Sequence, residues 1–228
     1  MTDPRLWAEL LAYGSGISLS PLHIGLLFLL LLGPQPLRRG GLLVLSWMVT
    51  ITVVLVVLLT VGHSLVLSMD KGSSHRIGLD LLGAGALLAL GIKELVESGQ
   101  EGNEPPGWTH QLDRFCAMPM PLLLGVSSGL EVISPDDLFL FAKSASALLA
   151  AGLSRGQEVL FTAAFSVMAS LALLVPFTAV LIGRQQVLPL LERAKQLLFS
   201  RGDLLVAGLS LVLAGYLGWE GIEGLRLG

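Results

Sequence analysis

Six apolar runs, each long enough to cross a bilayer, follow one another along this chain of 228 residues and leave it few ways to fold. A helix needs about 20 mostly apolar residues to span the hydrocarbon core. The runs lie at about residues 7–32, 41–67, 77–96, 119–153, 157–182 and 204–225. Lipid cannot hydrogen-bond a backbone, so such runs cross as helices that satisfy their own amides. Composition agrees: charged residues make up 14% and hydrophobic residues 53%, with a mean hydropathy of +0.77. Soluble domains carry about 25% charge. The expected class is an all-α integral membrane protein with six transmembrane helices.

The first and fourth runs are longer than one straight span needs, and each holds a proline, Pro21 and Pro135. Proline removes a backbone donor and clashes with the preceding turn. Helices 1 and 4 are therefore expected to be broken; the alternative is that each proline only kinks its helix. Between the third and fourth runs lies a stretch rich in Gly, Pro and charge, including Gly102-Asn103-Glu104-Pro105-Pro106-Gly107. It divides the chain into a first three-helix repeat at 1–97, a connecting loop at 98–118 and a second repeat at 119–228. Residues 187–198 alternate leucine pairs with Glu192, Arg193 and Lys195, the pattern of a short helix lying in the membrane interface.

The chain also resembles itself. Ser15-Gly16-Ile17-Ser18-Leu19-Ser20-Pro21 pairs with Ser128-Gly129-Leu130-Glu131-Val132-Ile133-Ser134-Pro135, with one residue inserted. Arg39-Gly40 opens the second run as Arg155-Gly156 opens the fifth, and Asp80-Leu81-Leu82 matches Asp203-Leu204-Leu205. The offsets rise in order from 113 to 114, 116 and 123. Repeats of three spans each must sit upside down with respect to one another. Such inverted repeats are a common plan of secondary transporters, whose sites lie where broken helices of the two halves meet.

That rule points to Ser20, Pro21, Ser134 and Pro135. The fourth run adds Glu131, Asp136, Asp137 and Lys143, although a charge at mid-membrane costs on the order of 2.5–3.5 kcal/mol on insertion. Asp136 and Lys143 are two helical turns apart and share a face. Glu131, at membrane depth, would be partnered or protonated, which suits proton coupling. Asp136 and Asp137 would begin a new helix after the break, and a plain capping role is the alternative reading. His23 occupies the position in the first repeat that Asp137 occupies in the second; a packing role is its alternative. Asp80 and Asp203 read as interface residues, and Glu220 as facing water. These nine positions, Ser20, Pro21, His23, Glu131, Ser134, Pro135, Asp136, Asp137 and Lys143, are the candidate substrate-binding residues.

Other functions find little support. The net charge is −3 with no basic tract, so no nucleic-acid partner is expected. Cys116 is alone and forms no disulfide within the chain, and His23, His63, His75 and His110 are scattered, so neither a metal site nor a cofactor is expected. No nucleophile triad or phosphate loop marks an enzyme. Residues 1–10 lack the pattern of a cleaved signal, so the first run is expected to stay in the membrane. Positive residues favour the inner loops by 8 to 5 with both termini outside.

Residues 18–41, with Ser20-Pro21 early and Arg38-Arg39-Gly40 after the apolar run, resemble the opening of the GAP/Sap proteins. These are the glycopeptidolipid- and sulfolipid-addressing proteins of the LysE superfamily. Residues 125–153, 165–176 and 188–205 are similar to that family too. The resemblance implies a six-span bundle in a prokaryotic plasma membrane that exports a lipid or small solute. Relatives carry Asn-Pro-Lys where this chain has Ser134-Pro135-Asp136, so the charge is reversed there. The leading expectation is an exporter of a lipid or small polar solute between the first and fourth runs, with membrane lipids as partners and proton exchange through Glu131, Asp136 or Asp137. An amino-acid or cation exporter is the alternative, and a non-transporting membrane scaffold is the alternative of another class. Six short-looped spans leave apolar surface that would suit a homo-oligomer.

Overall fold

A computed structural model describes residues 4–65, 73–100, 109–183 and 186–227, and all regular structure among them is helical. The first run becomes α1 (Pro4–Ser18) and α2 (Pro21–Leu32), which meet at a bend of 60°. Pro21 sets the start of α2, where its missing N–H costs nothing. Ser20 before it is extended, as a residue preceding proline prefers. The second and third runs form unbroken helices, α3 (Pro36–Leu65) and α4 (Ser74–Gln100). Residues 102–107, read as a loop, lie outside the described residues, but the connecting segment also holds a helix, α5 (Thr109–Cys116).

The fourth run divides at Ser134 into α6 (Met120–Ile133) and α7 (Pro135–Ala150). α7 ends in a turn where Gly152 takes φ +58, a left-handed conformation that costs glycine little. α8 (Arg155–Met168) starts with a capping box in which Gln157 Oε1 accepts the Ser154 amide at 3.0 Å. The fifth run was expected to be one helix. It is instead broken after Met168 and continues as α9 (Leu171–Gly183) at a bend of 66°. The amphipathic stretch at 187–198 is helical, as its pattern predicts, and runs to a kink with non-helical backbone at Arg201, beyond which the last run continues; the two helices together are labelled α10 (Leu188–Leu227).

By length and composition, 36–64 and 188–226 can each cross a bilayer, and the bent pairs α1/α2 and α8/α9 make four spans if each is one. The remaining two runs, α4 and α6/α7, are the ones that bury charge: Arg76, Asp80, Glu131, Asp137 and Lys143. Much of the surface is aliphatic, with Val53, Leu82, Val175, Ile182 and Val212 more than half exposed. Such a surface fits contact with lipid.

α4 and α10 form the most extensive helix pair, and α7 packs against α1, α3, α4 and α6. Glycines let α4 and α10 approach. A Cβ at Gly91 would stand 2.8 Å from Leu211 Cγ and 3.2 Å from the Ala207 carbonyl oxygen. The backbone oxygen cannot swing away, so Gly91→Ala is expected to lower the thermal midpoint in detergent, by the equivalent of about 1–3 kcal/mol. Gly85→Ala on the same helix meets no atom within 4 Å and is expected to leave the midpoint unchanged or raise it.

Candidate functional site

The helix breaks free backbone groups that lipid cannot satisfy, and side chains from other helices take them up. At the first break, Ser20 Oγ lies 2.9 Å from His23 Nδ1, and His23 Nε2 lies 3.3 Å from the Ser127 carbonyl oxygen of α6. A carbonyl only accepts, so Nε2 carries the proton and Nδ1 accepts from the Ser20 hydroxyl. The buried His23 ring rests on Trp47 of α3, with centroids 4.2 Å apart. Trp47 Nε1–H in turn donates to the Ala169 carbonyl at 3.2 Å, and Ser18 Oγ accepts the Ala172 amide at 2.8 Å. Both groups belong to the break between α8 and α9. Pro176 loosens the same turn, because it has no N–H to give the Ala172 carbonyl. One polar seam thus joins the α1/α2 break, α3, α6 and the α8/α9 break. Thr50 and Ser46 extend it to Ser128 at 2.8 and 3.2 Å, and Thr52 bonds Ser166 at 2.8 Å.

Two apolar recesses adjoin the seam. The larger, of about 480 Å³, lies between α2, α9 and the start of α10, lined by Phe28, Val175, Pro176, Ala179, Leu191 and Ala194 among others. The smaller, of about 220 Å³, is lined by Leu11, Ser15, Ser18, Leu19 and Met168. Leu171 and Ala172 at the break border both. Between α2 and α6, by contrast, Leu22, Leu26, Phe115, Leu123 and Leu130 close up and leave no room for water.

The family model for Sap, the sulfolipid-1-addressing protein, matches residues 10–223. The chain belongs to the Sap family. No curated protein and no solved structure matches it. The Sap match takes in the whole seam and both recesses, and the chain is thereby a membrane protein of a family named for lipid addressing.

In this Sap chain the residues singled out from sequence separate. Ser20, Pro21 and His23 stand in the seam at the start of α2. Glu131, with 0% exposure, and Ser134, whose amide donates to the Leu130 carbonyl at 3.0 Å, flank the second break with the buried Asp137. Pro135 and Asp136 hold the first two positions of α7, and their side chains lie outside the described residues. Lys143 goes elsewhere. It pairs with Asp80 of α4, and the two side chains are 1% and 3% exposed. Asp80, expected at the membrane interface, is thus buried inside the protein. Glu220 does not simply face water either: its side chain is 11% exposed and lies 3.7 Å from Arg76, which also binds Glu9 at 3.2 Å.

Arg39, part of the motif that carried the family resemblance, has a structural task. Its guanidinium donates to the Cys116 carbonyl at 2.9 Å and the Met118 carbonyl at 3.5 Å, tying the end of α5 to the start of α6. Sequence reading missed Trp47 and Ser18, whose partners are 122 and 154 residues away. A tryptophan amid an aliphatic run was the one local signal for the first. Ser18→Ala leaves the Ala172 amide without its acceptor, at a cost of about 1–3 kcal/mol. Hydrogen exchange should accelerate over residues 169–174 in that variant while exchange in α3 stays unchanged.

Proposed function

We propose that this Sap-family chain is a membrane exporter that moves an amphipathic lipid, with the apolar recess between α2, α9 and α10 receiving the acyl chain. The observation that carries this reading is the recess itself. Its size falls within the roughly 300–1,000 Å³ typical of small-molecule sites. Its lining is almost wholly hydrocarbon, and it borders a broken helix whose polar groups are within reach of Ser15 and Ser18. The family name supports a lipid as cargo. The closed contact between α2 and α6 favours a lipid over the small polar solute, amino acid or cation that a wet cavity there would have served.

The same reading takes the chain as six spans in two inverted repeats of LysE type. Two features support it. Each half runs in the same order: a broken first segment, a second segment that is unbroken as α3 in the first half and bent as α8/α9 in the second, then a third helix, and the two third helices, α4 and α10, pack together. Arg76 also holds Glu9 near the start of α1 and Glu220 near the end of α10, so both ends of the chain lie on one side, as an even number of crossings requires. We place the protein in a prokaryotic plasma membrane with both ends outside, acting as a carrier and not as an enzyme.

Native mass spectrometry of the purified chain tests this. The wild type should retain an acyl lipid. Ala179→Trp/Ala194→Trp, which fills the recess, should retain roughly tenfold less, the effect of losing about two buried methylenes. Equal retention by the double variant, or no lipid on the wild type together with no lipid transfer between vesicles, would overturn the reading.

A further inference from the structure

Six polar residues on three helices are spaced four apart: Glu9 and Tyr13 on α1, Arg76 and Asp80 on α4, Tyr216 and Glu220 on α10. Four residues are about one helical turn, roughly 6 Å of rise, so the six fall into two layers. In the outer layer Arg76 joins Glu9 and Glu220, with side chains 6%, 13% and 11% exposed. In the inner layer Asp80 pairs with Lys143, which arrives from α7. The Lys143 ammonium stands 5.7 Å from the centre of the Tyr13 ring, and the Tyr13 and Tyr216 rings are 6.2 Å apart. One turn further in, the matching positions of α1 and α4 are Ile17 and Ala84, and Leu140 and Leu213 press on Gly16. The polar layers stop there. They form a shaft of packed polar side chains that runs inward from the end where α1 and α4 begin and stops against hydrocarbon.

Two independent observations give this shaft a ligand. The first is the ion pair at its base. A buried pair is seldom more stabilising than hydrophobic residues of the same volume, and an ionisable residue within a span most often marks a pathway. Packing alone therefore does not account for Asp80 and Lys143. The second is the Tyr13 hydroxyl. It belongs to a residue with 0% exposure and has the Tyr216 hydroxyl as a partner, which leaves part of a hydroxyl's one donor and two acceptor positions unused. The inner layer thus holds a polar group with capacity left for a water or an ion. The charged and titratable groups that bear on the pair come from every helix around the shaft: Glu9 and Tyr13 from α1, Arg76 from α4, and Tyr216 and Glu220 from α10.

We infer that the shaft is a proton-binding site that couples the two halves of the molecule. Hydronium at the mouth gives its proton to the Asp80 carboxylate and becomes water. Neutral Asp80 no longer holds the Lys143 ammonium, burial penalises that charge once it is unpaired, and the contact between α4 and α7 opens. Loss of the proton to water restores the carboxylate and re-forms the pair. Asp80 belongs to the first half and Lys143 to the second, so protonation acts on their junction. This inference goes beyond the lipid reading and does not need it.

The test uses proteoliposomes of the full chain adsorbed on a solid-supported membrane, with no lipid substrate added. A step from mildly alkaline to mildly acidic buffer should displace charge in the wild type. Asp80→Asn should abolish the signal. So should Asp80→Asn/Lys143→Met, which replaces the pair with neutral groups of similar volume and is checked for folding by thermal unfolding. Glu192→Gln, on the surface of α10, should leave it intact. A signal that survives in both Asp80 variants, or no signal in the wild type, would overturn the inference. A sodium step at constant pH should displace no charge, and a sodium signal lost in the Asp80 variants would replace the proton by a metal cation and overturn it as well.

Discussion

A helix that breaks inside a membrane must find partners for the amides and carbonyls it frees, and the centre of this protein is arranged around that requirement. The break between α8 and α9 is capped by Trp47 on its carbonyl side and Ser18 on its amide side. Neither cap is local. Ser18 stands at the end of α1, which is itself broken two residues later, so the first break positions the residue that stabilises the second. His23 completes the arrangement by resting on Trp47 and bonding Ser127 of α6. Removing any one of these would leave a buried polar group unsatisfied, which costs more than the bond itself contributes.

The seam and the buried ions are different kinds of polar interior. In the seam, neutral hydroxyls, an imidazole and an indole answer backbone groups one to one, and the result is a rigid junction. Around Asp80 and Lys143, full charges face each other in surroundings that penalise them. The α4–α10 pair, drawn close by its glycines, forms one wall of that charged region. The molecule keeps the two apart: no candidate residue of the first break takes part in the ion pair.

How much of this was legible in the sequence follows from how far each cause lies from its effect. Pro21 and Pro135 act on their own helices, so the breaks at Ser20 and Ser134 could be read directly. The helical class followed from hydropathy, and the family from short motifs around Arg38-Arg39-Gly40 and the fourth run. The break at Ala169–Ser170 has no proline at its first helical position as the other two have, Pro176 standing further along α9, and what holds it open is supplied by α1 and α3. Lys143 was read with Asp136 because they share a helix face, yet its partner sits 63 residues earlier on α4. Asp80 was read as an interface residue because the hydropathy of its run begins only at Ile77, whereas α4 starts at Ser74 and carries Asp80 inward. The nine candidate residues were thus identified singly, while their grouping depended on tertiary contacts that a single sequence does not display.

The length of α10 bears on more than packing. Its 40 residues would extend about 60 Å at 1.5 Å per residue, about twice the thickness of a hydrocarbon core. The portion after Arg201 is by itself long enough to cross. On the six-span reading, the portion before it, carrying Leu190, Leu191 and Ala194 with Glu192, Arg193 and Lys195, lies in the headgroup layer. Leu190 and Glu220 lie on opposite sides of the Arg201 kink, so on the six-span reading proposed above the apolar recess and the charged shaft lie toward opposite leaflets. Whatever enters by one door does not meet what enters by the other, and the two can communicate only through movement of the protein between them.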